Sequence, residues 1–135
     1  MRQRADRVPF LPGRRLVAMR VTLNELDDAV PIVDTGAERT VISQHLAARL
    51  GLDQTHPLRL QPLAGIGQSA PVPVVRLERL RVGASTVVGV EVSVYDLPAV
   101  IRADGLLGLN VLNRFRVTLD FNRGLLILRQ PERAP

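Results

Sequence analysis

A chain of 135 residues, 46% apolar and 23% charged, is long enough for one compact domain and too short for two. The absence of cysteine excludes a disulfide scaffold, a thiolate metal site and a cysteine nucleophile together. All 18 basic residues are arginine, and the net charge of +5 brings contact with nucleic acid into consideration from the start.

Six of the arginines fall in the first 20 residues (Arg2, Arg4, Arg7, Arg14, Arg15 and Arg20), interspersed with Pro9, Pro12 and Gly13. Residues 1–15 therefore read as a loose basic arm, 16–130 as one domain and 131–135 as a tail. Single-stranded nucleic acid needs aromatic stacking platforms, and the chain offers only Phe10, Tyr95, Phe115 and Phe121. The arginines thus read as solvated surface, with weak phosphate binding by the arm as the lesser reading. No apolar run approaches the roughly 18–20 residues that cross a bilayer. Met1 to Arg7 lacks the apolar stretch of a signal peptide, so a soluble, unexported, cytoplasmic protein without a membrane partner is expected.

Short runs rich in valine and leucine recur between glycine, proline, asparagine and aspartate, which predicts a mostly β domain. Leu16–Leu23 and Ala29–Val33 flank the turn-forming cluster Asn24 to Asp28 and read as a first hairpin ending at Asp34. Ser43 caps a short helix over Gln44–Leu50, whose Leu46, Ala47 and Leu50 share a face and which Gly51 ends. Leu58–Leu63 and Val72–Val82 read as a long hairpin around the tip Ala64 to Ser69, expected to be the most mobile internal segment. Pro71 and Pro73 suggest that its second strand is an exposed edge. Thr86–Val94 follows as a strand, Asp96–Ala103 as a loop, and Leu109–Arg114 as one or two helical turns. A last hairpin pairs Arg116–Phe121 with Leu125–Arg129.

Chemistry concentrates at Ile32-Val33-Asp34-Thr35-Gly36-Ala37, which sets a lone carboxylate at the end of an apolar strand. Such a carboxylate is normally paired or functional. Taken alone, the tripeptide serves equally well as a turn whose aspartate bonds nearby amides. The remaining constellations are weaker. Ser43 lacks Gly-x-Ser-x-Gly surroundings and reads as a cap. His45 and His56 lack metal-ligand spacing and cysteine partners. Asp27-Asp28, Asp96 and Asp104 lie in turns or loops without calcium-loop spacing. Gly65-x-Gly67 has no lysine after it to make a phosphate loop.

The combination of Asp34-Thr35-Gly36-Ala37-Glu38-Arg39-Thr40-Val41, a glycine-tipped hairpin about thirty residues on, and Leu106-Leu107-Gly108 followed by Leu109-Asn110-Val111-Leu112 resembles the retroviral-type aspartic proteases, the retropepsins, and their bacterial relatives. The resemblance runs from about Leu16 to Leu128. It implies an all-β, small closed β-barrel-like fold with one or two short helices and a flap hairpin that closes over a peptide or protein substrate. It further implies Asp34 as catalytic carboxylate, Thr35 as the residue joining two catalytic loops across a homodimer, and Gly36 as the point where substrate backbone approaches. Ala37, Glu38, Gly65, Ile66, Gly67 and Leu106 would bind substrate, and no metal or cofactor is required. In retroviral members an acid after the alanine pairs with an arginine after the late glycine, but here Leu109 stands opposite Glu38. Arg39 adjoins Glu38, yet neighbours on a strand point to opposite faces.

One Asp-Thr-Gly per chain supplies half of a carboxylate pair, so the enzyme is expected to be an aspartic endopeptidase active as a homodimer, with the C-terminal hairpin as candidate interface. The alternatives are a catalytically silent dimer of the same fold that binds a peptide or protein, and a basic nucleic-acid adaptor using the arm.

Overall fold

The computed structural model describes residues 4–63 and 70–131. Eleven strands and two short helices are seen among them, with a single 3-10 turn at Ala99–Ile101. Strand β1 (Asp6–Pro9) pairs antiparallel with β11 (Leu125–Arg129), which pairs antiparallel with β10 (Arg116–Asp120) in a three-stranded sheet. The main sheet runs β3 (Asp27–Ala29), β2 (Val21–Leu23), β7 (Val72–Val82), β8 (Ser85–Val94), β5 (Thr40–Ile42), β9 (Gly105–Leu107), β4 (Pro31–Val33), and β6 (Arg59–Gln61) pairs with β7. Residues 17–19, just ahead of β2, bond to β4 through Ala18 opposite Ile32, Met19 N to Pro31 O and Val33 N to Val17 O, so the sheet nearly closes on itself. The expected all-β, barrel-like fold is what forms, with helices α1 (Gln44–Arg49) and α2 (Leu109–Leu112).

The hairpin of β7 and β8 is the longest element, and its alternation changes phase midway. Val75 and Leu77 are buried before Glu78 and Arg79, and Leu80 and Val82 after them. Gly89, across the hairpin, has φ of +70°, which accommodates the change and lets both halves turn apolar side chains to one core. Met19, Leu23, Leu77, Leu80, Leu107 and Leu126 lie at its centre. A second, smaller cluster forms from Ile32, Ala37, Val41, Leu63 and Leu106. Strand alternation separates the two: Ile42 and Leu107 join the main core, while Val41 and Leu106 face the other way.

Four expectations change. Asp6–Pro9 is not a loose arm but β1, because Val8 is buried against the core and the Asp6 carboxylate accepts bonds from Ala84 N and Ser85 Oγ. Arg14 also donates to Arg102 O at 2.7 Å. Asp27 and Asp28 lie in a strand rather than a turn, paired with Arg49 at 2.6 Å and with Thr22 Oγ1 at 2.9 Å. β7 is central, not an edge; Pro73 is tolerated because pairing with β8 begins only at Val74. Leu126 and Leu128 of the last hairpin are buried in the core of their own subunit, and Val117 and Leu119 pack against it, leaving Phe121 exposed beside Phe10. The helix over residues 44–49 forms as expected, with Ser43 Oγ accepting from Leu46 N. The tip Ala64 to Ser69, and with it Gly65, Ile66 and Gly67, lies outside the described residues.

Candidate active site

β9 is inserted between β4, to which it runs parallel, and β5, to which it runs antiparallel. Those are the two strands that the loop 34–39 connects, so the loop must arch over the end of β9. Two glycines make the insertion possible. A Cβ on Gly105 would overlap the Val41 carbonyl oxygen, and one on Gly108 would lie 2.7 Å from the Arg39 carbonyl carbon. Gly105 and Gly108 thus let the segment 105–108 lie in close backbone contact with residues 37–42.

The loop is fixed at both ends. Asp34 N donates to Leu107 O at 3.0 Å, Ala37 N to Asp34 O at 3.2 Å, and Leu109 N to Ala37 O at 2.8 Å. Asp34 itself is half-buried, and its Oδ1 accepts from Gly36 N at 2.8 Å. No cation approaches it within ion-pair distance among the described residues. Thr35 and Gly36 are exposed, and the Thr35 hydroxyl has no hydrogen-bond partner among the described residues. The half-buried carboxylate and exposed hydroxyl stand at one open end of the sheet.

Ala37 and Leu106 are buried in the smaller apolar cluster next to this loop, and Glu38 is exposed. They share a narrow pocket with Arg39, Val41, Pro62 and Leu63. Arg39 does not bond Glu38. It donates from Nη1 to Ser93 Oγ at 3.3 Å and from Nη2 to Gln61 Oε1 at 2.9 Å. Gln61 Oε1 also accepts from Arg59 Nε, and Arg59 Nη2 donates to Glu91 Oε1 at 2.6 Å.

Two residues that the sequence reasoning left without a role hold the frame together. Thr40, 2% exposed, donates its hydroxyl to Asn110 Oδ1 at 2.9 Å and accepts from Gly108 N at 3.1 Å. Asn110 Oδ1 also accepts from Thr40 N, and its Nδ2 donates to Glu91 O at 2.7 Å. The signal was present: a polar residue directly before a buried apolar strand pair, and one asparagine inside Leu-Leu-Gly-Leu-Asn-Val-Leu. A polar group in such a run has to be bonded.

Among the described residues no helix is long and apolar enough to cross a membrane. No curated protein matches the sequence. Among solved structures, the fold is similar to a retropepsin-like aspartic protease from Rickettsia conorii, with a TM-score of 0.68 and 19% identity over 96% of each chain. It is also similar to the retroviral protease-like domain of Ddi1 from Leishmania major, with a TM-score of 0.54 and 16% identity over 84% of this chain and 93% of that one. At these identities the likeness concerns the fold. A family model described as aspartyl protease matches residues 19–111, a span that holds the Asp34 loop, the hairpin after it and the Leu-Leu-Gly segment, and the chain belongs to that aspartyl protease family.

Proposed function

We propose that the chain is an aspartic endopeptidase active as a homodimer, in which Asp34 of each subunit contributes one of two catalytic carboxylates. The observation that carries this reading is the arrangement at Asp34: a half-buried carboxylate oriented by Gly36 N, on a loop braced by β9, with no charged partner among the described residues of its own chain. A second copy related by a twofold axis supplies an equivalent carboxylate and an exposed Thr35 opposite the first.

Two carboxylates a few ångströms apart do not both ionise cheaply, so the pair holds one shared proton. The ionised member takes a proton from a water, whose oxygen attacks the scissile carbonyl carbon. The protonated member gives its proton to the carbonyl oxygen, producing a tetrahedral diol. Collapse of the diol breaks the C–N bond while the carboxyl proton passes to the leaving nitrogen and a diol hydroxyl gives its proton to the ionised carboxylate, so the pair again holds one proton. Gly36 leaves room for the substrate backbone, Glu38 accepts a substrate amide N–H, and Ala37 and Leu106 contact apolar parts of the substrate. β6 and β7 lead into the segment that the sequence assigns to the flap, which includes Gly65, Ile66 and Gly67. The outer edge of β10 has no strand partner among the described residues and is a place where the twofold mate can add.

The test is cleavage of a mixed peptide library, with and without a pepstatin-like transition-state analogue. Asn at position 34 still offers an oxygen to Gly36 N, so Asp34→Asn is expected to fold and dimerise while losing about a thousandfold or more of activity. Cleavage near the wild-type rate by purified Asp34→Asn, or specific activity that does not fall on dilution to a sedimenting monomer, overturns the reading.

A further inference from the structure

Alternate residues of the three-stranded sheet point to opposite sides. Val8, Leu126 and Leu128 are buried in the core, and Val117 and Leu119 pack against it. The residues between them, Arg7, Arg116, Thr118, Ile127 and Arg129, therefore form an outer face. Arg116 and Arg129 are directly opposite each other on β10 and β11, and Arg7 stands opposite Ile127, one diagonal step from Arg129. Opposite positions bring Cβ atoms to about 5 Å and diagonal ones to about 7–8 Å, so three guanidinium groups share one small grid. Arg4 and Arg114, both exposed, flank the same end of the sheet, ahead of β1 and β10.

Like charges directly opposite on a sheet repel, so this pair calls for a counter-charge. The strands do not supply one. None of these five arginines is in an ion pair among the described residues, whereas Arg20, Arg49, Arg59 and Arg81 each face a carboxylate. The two acids of the three strands are otherwise engaged. Asp6 accepts from Ala84 N and Ser85 Oγ, while Asp120 accepts from Arg123 N at the far turn and lies 3.9 Å from Arg123 Nε.

The rest of the face narrows the partner. Its aliphatic side chains do not protrude, since Ile127 is 8% exposed and Leu125 is half-buried, so nothing on it enters an acyl layer. It carries no aromatic ring on which unpaired bases could stack, because Phe10 and Phe121 meet at the opposite end of the strands. What it offers is guanidinium forks, which match phosphate oxygens, at the spacing of successive charges on one backbone. We infer that the outer face of the three-stranded sheet is a docking surface for the phosphate backbone of double-stranded nucleic acid, with Arg7, Arg116 and Arg129 at its centre. Phosphate contacts of this kind position a duplex without reading its sequence. The inference is independent of the endopeptidase reading: the face shares no residue with the Asp34 loop and uses the side chains of β10 rather than its edge.

The experiment titrates the whole chain into a labelled mixed-sequence DNA duplex of about 20 base pairs and reads fluorescence anisotropy between about 50 and about 300 mM salt. Micromolar binding at the low end is expected, with a slope of log K against log salt of about −3 or steeper, as three or more phosphate contacts require. Arg7→Gln, Arg116→Gln and Arg129→Gln combined should weaken binding by about tenfold or more, while Arg15→Gln, Arg79→Gln and Arg102→Gln, which remove the same charge elsewhere, weaken it by less than about threefold. Arg116→Gln alone should unfold at or above the wild-type temperature in low salt, with the gap closing as salt rises, because it relieves the repulsion from Arg129. A lower unfolding temperature overturns the opposition of charges on which the inference rests. Absence of duplex binding by the wild type in low salt, or equal losses in the two triple variants, overturns the inference itself. So does tighter binding of single strands than of duplex, or binding of phosphatidylserine vesicles or polyglutamate that matches the duplex at equal charge and needs the same three arginines.

Discussion

The inner wall of the site, where β9 lies between β4 and β5, is fastened by backbone contact and by neutral hydrogen bonds between the buried Thr40, the half-buried Asn110 and the backbone. The outer wall, where β6 meets β7 and faces β8, is fastened by the chain Ser93, Arg39, Gln61, Arg59 and Glu91, of which the Arg59 and Glu91 side chains are 42% and 40% exposed. The difference is one of dielectric. Buried neutral bonds hold whatever the salt or pH and cannot be removed singly without leaving an unsatisfied group, whereas exposed charges are screened and replaceable. The Asp34 loop thus rests on the first kind of support, and β6 on the second.

The largest effect belongs to the inner wall. Gly105→Ala places a Cβ inside the Val41 carbonyl oxygen, and neither strand can retreat because each is paired on its other side. A loss of more than about 4 kcal/mol is expected, which for a domain of this size means little soluble folded protein. Thermal unfolding of the variant within a few degrees of wild type would show that the insertion of β9 is loose and would remove half of the comparison.

Asn110→Ala comes next. It strips partners from Thr40 N, the Thr40 hydroxyl and Glu91 O at once. A cost of about 2–3 kcal/mol in urea unfolding is expected, the same at low and high salt. The double variant with Thr40→Val should cost clearly less than the two single changes added together, by about 1 kcal/mol or more, since both act on one network. Simple additivity would mean that the two side chains stabilise separate things.

How much of this could be read from the sequence follows the same division. The long strand over residues 72–82, the capped helix at 44–49 and the final hairpin were legible because each carries its own local signal: period-two burial, a serine cap, an Asn-Arg-Gly turn. The Asp34 loop and the Leu-Leu-Gly segment were legible only together, because the reason for Gly105 and Gly108 lies in a backbone some 65 residues away in the chain, at Arg39 and Val41. The strand at Asp6–Pro9 was hidden by its proline and its arginine, since one buried residue, Val8, is too little pattern to show, and pairing with β11 decides the matter. Arg39 was read as not bonding its neighbour Glu38, and it does not. Its partners sit on β6 and β8, where no spacing rule places them.

The smallest effect belongs to the outer wall, and its dependence on conditions is what identifies it. Glu91→Gln keeps an acceptor for Arg59 and removes one exposed charge pair, so a loss below about 1 kcal/mol is expected near neutral pH, and less still in high salt. The sign of the pH dependence follows from the direction of the shift. Glu91 has its carboxyl lowered in the folded chain, mainly by the bond from Arg59, so the unfolded chain binds the proton more readily. Its contribution is complete above the unfolded value and is lost as pH falls through the folded one, which lies below the ordinary glutamate range. The difference in stability between wild type and Glu91→Gln should therefore shrink on acidification, while the Asn110→Ala deficit stays level. A Glu91→Gln deficit that equals that of Asn110→Ala and ignores both salt and acid would place the outer wall in the same buried regime as the inner one.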